Sequence, residues 1–168
     1  MDTFHPIPDF PDYFINKNGS VLSYKKSKEG ILLKLGLRYD DYYQVGLINK
    51  DKKHKHMLVH RLLALTFIDN DNNFKCVDHI DRDKTNNKLE NLRWASRELN
   101  NQNATRRKDN KQGHKNIYLW IDRRNNTEWY RFQIERNGKR HTKCFKTLAD
   151  AIVYRNEYLT ALGEEIID

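Results

Sequence analysis

Apolar residues in this chain never run on. They come as short stretches, ILLKLGL at 31–37, YYQVGLI at 42–48, HRLLALTF at 60–67 and NIYLWI at 116–121, each followed by polar turn-forming sequence. Only 38% of the 168 residues are hydrophobic, and the mean hydropathy is −0.96. A chain this short and polar cannot build one deep core, because small cores bury a smaller share of their surface. Several thin modules docked on an extended partner are expected instead. No stretch approaches the roughly 18 apolar residues of a membrane span, so no membrane partner is expected. The N-terminal MDTFHPIPDFPDYF has neither the basic nor the apolar region of a secretory signal. Cys76 and Cys144 lie far apart with no second cysteine nearby, which predicts reduced thiols in a cytosolic compartment and no cysteine-based zinc site.

The charge is concentrated. Between Ala104 and Lys146 there are thirteen Lys and Arg against four acids, a local charge of +9 in a chain whose total is +8. The rest of the molecule is therefore close to neutral. A basic run by itself reads first as a solvated face. Interleaved with aromatic residues, it becomes the electrostatic footprint of a polyphosphate partner.

Periodicity and punctuation predict an α+β chain. Pro6, Pro8, Pro11 and Gly19 break residues 1–24 into short strands, and Asn18-Gly19 marks a tight turn. Strands follow at 31–37, 42–48 and 56–59, with a turn at 49–53. A helix over 60–67 places Leu62, Leu63, Leu65 and Phe67 on an apolar surface. Strands at 75–80 and 92–96 flank the polar loop DRDKTNNKLE, and Ser96 is available to cap a helix at 97–105. Residues 106–115 are purely polar and read as a surface linker. Strands at 116–121, 128–136 and 139–145 come next, the last two joined by Asn137-Gly138, the strongest hairpin signal in the chain. Thr147 then caps a helix that ends at Gly163, with Leu148, Ala151, Ile152, Tyr154, Tyr158, Leu159 and Leu162 repeating at helical spacing. Trp94 and Trp129 read as core aromatics, and Trp120 as either core or contact.

The stretch VDHIDRDKTNNKLENLRWASRELNNQN at 77–103 carries the chemistry. It holds an Asp78-His79 pair on a strand, Asn91 thirteen residues after Asp78, and Asn100 on the following helix. A carboxylate and an amide oxygen are hard donors that suit Mg²⁺, an ion that keeps several waters and accepts few protein ligands. Mn²⁺ would accept the same donors. Next to them stands a histidine, the side chain poised to act as a base near neutral pH without special tuning. On a regular strand it would point away from the Asp78 side, so the strand end must be distorted for the two to work together. His60 reads as a packing or capping residue, His54 and His56 as facing solvent or DNA, and Asn86 and Asn87 as loop formers.

VHRLLALTF followed by VDHID, NN, ENLRW and NN resembles the HNH endonucleases with a ββα-metal fold, and within them the phage homing type in which asparagine replaces the last histidine. The resemblance implies that Asp78 and Asn100 are metal ligands, with Asn101 and Asn103 as alternatives if the helix phase differs. It implies His79 as the general base and Asn91 as the residue that pins the loop and holds the His79 strand in its distorted shape. The implied reaction is hydrolysis of DNA phosphodiester bonds, leaving 5′-phosphate and 3′-hydroxyl ends. One Mg²⁺ (or Mn²⁺) per site and no small-molecule cofactor are implied. A monomer with one active site, phage-encoded and acting in the bacterial cytoplasm, completes the expectation.

FHPIPDFPDYFINKNGSVLSYKK resembles the short module that often precedes HNH domains in phage homing enzymes, and 116–162 is similar to AP2-type DNA-binding domains. The expected organisation is an N-terminal β-rich module over 1–53, a nuclease core over 54–105, the linker over 106–115, and a three-stranded sheet plus helix over 116–168. The second resemblance implies double-stranded DNA as partner, with Trp120, Arg131, Arg140 and Lys143 near it. Arg93, Arg106, Arg107, Arg123, Arg124, Arg136 and Lys139 are further candidate contacts. The alternatives are a non-cleaving DNA-binding regulator on the same scaffold and an RNA-binding module. The second of these lacks an RNP-type aromatic motif or a GXXG loop.

Overall fold

A computed structural model describes residues 3–106 and 109–168 and divides the chain into two compact units, Met1–Gln102 and Asn103–Asp168. The class is mixed α+β, as expected. In the first unit β1 (His5–Ile7), β2 (Phe10–Ile15), β3 (Val21–Ser23) and β4 (Ile31–Leu32) form one antiparallel sheet in chain order. A second antiparallel sheet holds β5 (Gly36–Leu37), β6 (Tyr43–Ile48) and β7 (His54–Leu58). Helix α1 (Val59–Phe67) follows β7 directly. The antiparallel hairpin β8 (Cys76–His79) and β9 (Leu92–Ala95) comes next, with a 3₁₀ turn at Leu89–Asn91 before β9. Helix α2 (Arg97–Asn103) closes the segment.

Turn chemistry explains why the strands end where they do. The Asn16 side chain is buried and accepts from the backbone N–H of Asn18 and Ser20, at 3.1 and 2.8 Å, fastening the β2–β3 turn. Gly19 sits there at φ +84°, and a Cβ on it would lie 3.0 Å from Val59, so both conformation and space require glycine. Asn49 fastens the β6–β7 turn in a similar way, accepting from Lys53 N at 2.8 Å.

The strand expected over 31–37 is divided between two sheets. Leu33 and Leu35 pack on the core between β4 and β5, and Leu33 N reaches back to Val21 O at 2.8 Å. An apolar run alone cannot say that its middle turns inward while its ends pair with different partners. Helix α1 buries Val59, His60, Leu62, Leu63 and Ala64 against these sheets, whereas Leu65, expected on the apolar surface, is exposed. Trp94 packs against this core and donates from Nε1 to Ile68 O at 3.0 Å.

The second unit is an antiparallel sheet, β10 (Ile117–Asp122), β11 (Thr127–Arg136) and β12 (Lys139–Phe145), with α3 (Leu148–Ala161) packed on one face. Asn137 and Gly138 both take positive φ, 51° and 71°, as a two-residue hairpin of this composition requires. Thr147 Oγ1 caps α3 by accepting from Asp150 N at 3.1 Å. The helix buries Ala151 and Leu159, together with an unexpected Arg155 that is 1% exposed and ion-paired with Asp168. Leu162, read as part of the apolar face, is exposed. Asn110, within the segment read as a surface linker, is buried. Its amide donates to His114 O and Ile117 O at 2.8 and 2.9 Å, satisfying carbonyls that the bend into β10 would otherwise strand.

Candidate active site

The β8–β9 hairpin sets Asp78 opposite Arg93 and His79 opposite Leu92. Both Asp78 and His79 are buried. Arg93 donates from Nε and Nη2 to the single oxygen Oδ2 of Asp78, at 2.9 and 2.8 Å. That forked grip, on a carboxylate taken largely out of water, fixes its direction.

The loop after His79 is held by Asn91. Its Nδ2 donates to Asp81 Oδ1 and to Asn86 O, both at 2.8 Å, and its Oδ1 accepts from Asp81 N at 2.9 Å. Its backbone oxygen accepts from Ile80 N, also at 2.9 Å. Desolvation works against ionisation of Asp81, yet hydrogen bonds from Asn86 and Asn91 outweigh it and hold that carboxyl below the ordinary range. The loop so fixed carries Asn87, whose Oδ1 lies 3.1 Å from His79 Nε2. The stretch 85–90 also walls a cleft completed by Lys17, Asn18, Leu35, Tyr43 and Val59.

Two further rings surround His79. His60, near the start of α1, is 4.9 Å from it between centroids and inclined at 65°, and Tyr42 is 5.9 Å away. Tyr42 and His60 are themselves 4.9 Å apart, and Lys84 places its ammonium 4.8 Å from the Tyr42 ring centroid. Burial, reinforced by the neighbouring His79 and Arg61 charges, drives the His60 pKa down to about 3. His60 is therefore a neutral ring at working pH. Its Nδ1 is buried with no hydrogen-bond partner among the described residues.

Neither Tyr42 nor Asn87 was legible as a site residue in the sequence. Tyr42 stands at the edge of a strand of another sheet, and Asn87 looks like any loop asparagine. The doubled Asn in the loop was the only available signal for the latter.

Asn100 sits half-buried on α2, where Ser96 Oγ accepts from Leu99 N at 3.1 Å and Ser96 O from Asn100 N at 3.0 Å. Asn101 and Asn103 are on the same short helix. A buried carboxylate oriented by an arginine, with amide oxygens as the other donors offered, is a hard-oxygen set. It fits Mg²⁺ or Mn²⁺, whose remaining coordination is left to water and phosphate oxygens.

The residues expected near DNA separate by strand register. Tyr118, Arg131 and Cys144 are cross-strand neighbours, as are Trp120 with Trp129 and Glu135 with Arg140. These lie on the face turned away from α3. The Arg131 guanidinium stacks 4.5 Å from the Trp120 ring centroid, and Lys146 sits 3.7 Å from that of Trp129, so Trp129 belongs to this cationic, aromatic face and not to the core. Lys143 lies opposite Phe132 on the helix side, its ammonium 4.0 Å from the Tyr154 ring centroid. Arg136 is paired with Lys139 across the strands and grips Glu164 with two bonds of 2.6 Å. Arg123 is exposed in the β10–β11 turn, and Arg124 folds back onto Asp122 at 3.0 Å. Arg106 donates to Asn110 O at 2.7 Å, Arg93 is engaged with Asp78, and Arg107 lies outside the described residues.

The family comparison falls on the same segment. Residues 57–102 match the family described as HNH endonuclease. The chain is 37% identical over 95 residues to DNA endonuclease I-HmuI of Bacillus phage SP01, covering 56% of this chain and 52% of that protein. It is 34% identical over 96 residues to H-N-H endonuclease F-TflII of Escherichia phage T5, covering 55% and 47%. It is also 37% identical over 95 residues to an uncharacterised HNH endonuclease, L245, of Acanthamoeba polyphaga mimivirus, of which it spans 28%. A solved structure on DNA binding and cleavage by the HNH homing endonuclease I-HmuI matches with a TM-score of 0.52 and 33% identity, covering 60% of this chain and 56% of that one. The chain thus spans between about a quarter and about half of the curated relatives it matches. Asp78, His79, Asn91 and Asn100 all fall inside the stretch 57–102 that matches the HNH endonuclease family.

Proposed function

We propose that the protein is a metal-dependent DNA endonuclease of homing type. The observation that carries this reading is the buried Asp78-His79 pair at the end of a hairpin whose loop is tied down by Asn91, within a segment that matches HNH endonucleases. Asp78 and an amide oxygen of α2, Asn100 in the first instance, would hold a divalent cation, which when bound would supply charge stabilisation for phosphodiester hydrolysis.

The chain's own residues do the rest. Arg93 keeps the Asp78 carboxylate aimed. His79 removes a proton from a water molecule, and the resulting hydroxide forms a bond to phosphorus. The bond from phosphorus to the 3′ oxygen breaks, and that oxygen is protonated from solvent. The products are a 5′-phosphate and a 3′-hydroxyl. Base catalysis of this kind contributes about 10²–10⁴-fold in rate.

Binding and target reading fall to the second unit. Its outward face combines Trp120, Trp129, Arg131 and Arg140 on a β-sheet, a shape that a major groove admits. The chain acts as a monomer, in the cytoplasm of a bacterial host.

Supercoiled plasmid incubated with the purified protein tests the reading. Conversion to open circles or linear DNA with Mg²⁺ but not with EDTA is expected. Plasmid left intact, together with a gel shift on many DNAs, would replace it with a non-cleaving DNA-binding regulator.

A further inference from the structure

From the loop geometry we infer that Asn87 is a positioning residue that sets the protonation pattern of the His79 ring. Only a hydrogen donor can face an amide oxygen. The 3.1 Å contact between His79 Nε2 and Asn87 Oδ1 therefore places a proton on Nε2, and in the neutral ring the lone pair then belongs to Nδ1. The assignment is to the Nε2–H tautomer, with Nδ1 as the basic nitrogen.

Three features of the fold hold this arrangement. Asn87 cannot swing away, because the residue before it is fastened through Asn86 O to the Asn91 amide at 2.8 Å, and through the Asn86 side chain to Asp81 Oδ2 at 2.7 Å. The imidazole cannot readily turn over, because the His60 ring stands edge-on to it and the Tyr42 ring lies on another side. His60 is neutral and buried, so it acts as a fixed wall that carries no charge of its own.

The chemistry rests on the nuclease reading above. An O–H bond of water breaks and an N–H bond forms at Nδ1, leaving an imidazolium whose Nε2–H still points at Asn87 Oδ1. One acceptor thus serves the ring before and after proton transfer, so that no hydrogen bond has to be remade in the step. An asparagine is suited to this place because its oxygen accepts without adding a charge beside the phosphate.

The tautomer is read by ¹⁵N NMR of the full chain labelled at histidine, with the pH raised until the histidine signals stop changing. The His79 signals are identified by their loss in His79→Ala. One pyrrole-like nitrogen at ε2 and one pyridine-like nitrogen at δ1 are expected. Asn87→Ala should average the two signals or reverse them, and Asn87→Asp, which keeps an acceptor oxygen, should restore the wild-type pattern.

On plasmid, Asn87→Ala should lower kcat by about tenfold or more with KM for DNA unchanged, since tautomer control acts on the reacting step and not on docking. A wild-type His79 in the Nδ1–H form, or an Asn87→Ala spectrum identical to wild type, would overturn the assignment. The wild-type spectrum alone decides if Asn87→Ala does not fold. An Nε2–H ring in a protein that cuts no DNA would uphold the assignment and sink the nuclease reading. A cutting enzyme with an Nδ1–H ring would do the reverse.

Discussion

Asn87 Oδ1 meets His79 Nε2 at 3.1 Å because Asn91, four residues further along, ties the loop between them to Asp81 and to the carbonyl of Asn86. The hairpin end is thus a short mechanical chain. The strand presents His79, the loop returns to touch it, and one buried amide at the foot of β9 keeps the loop closed.

His79→Ala should abolish metal-dependent cleavage and leave DNA affinity nearly unchanged. A general base contributes to the transition state and not to docking. Gel shifts and plasmid cleavage on the same preparation check this. A collapse of binding along with activity would make His79 a structural residue.

Asn91→Ala should cost about 1–3 kcal/mol of stability, the usual penalty for leaving buried polar groups unpaired, because three side-chain hydrogen bonds are lost at once. Cleavage should fall with it, as the loop carrying Asn87 is released. Urea unfolding gives the first quantity. If the midpoint did not move, the loop would be shown to be held by other contacts.

His60 gives the protein an acid sensitivity whose sign follows from its depressed pKa. In the unfolded chain it binds a proton below about 6.5, whereas in the folded protein it does so only near 3. Between those values the unfolded state holds the extra proton, so stability falls as the pH is lowered, at up to about 1.4 kcal/mol per pH unit. His60→Phe keeps a ring of similar size, removes the buried Nδ1, and should flatten the decline in Tm from pH 6.5 to pH 4. Parallel curves for variant and wild type would mean the sensitivity originates elsewhere.

Register separates the basic residues of the second unit. Arg131→Ala, on the outward face beside Trp120, should weaken DNA binding by about 1–3 kcal/mol if it reads a base, or lower the salt slope by about one if it meets a phosphate. Lys143→Ala, on the helix side above Tyr154, should change neither much. Titrations at several salt concentrations distinguish them. Equal effects from both substitutions would mean that DNA does not select the outward face.

Local signals carried the sequence reading a long way. The Asn137-Gly138 hairpin and the caps at Ser96 and Thr147 were all legible, because each depends on hydrogen bonds or dihedrals within a few residues. Spacing also singled out Asp78, His79, Asn91 and Asn100, which the structure places on β8, in the turn before β9 and on α2.

What only the tertiary structure decided were relations between segments distant in the chain. The 31–37 run divides because two sheets compete for its ends. Arg155 lies at the same four-residue step as the buried Ala151 and Leu159, but that its charge is met by Asp168, beyond the end of the helix, is something no helical period announces. His60 and Tyr42 come to flank His79 because a helix start and a strand edge from elsewhere in the first unit pack against the hairpin. Composition and period give each residue a face within its own element. The neighbour that face will meet depends on how the elements dock, and that is set by burial summed over the whole unit.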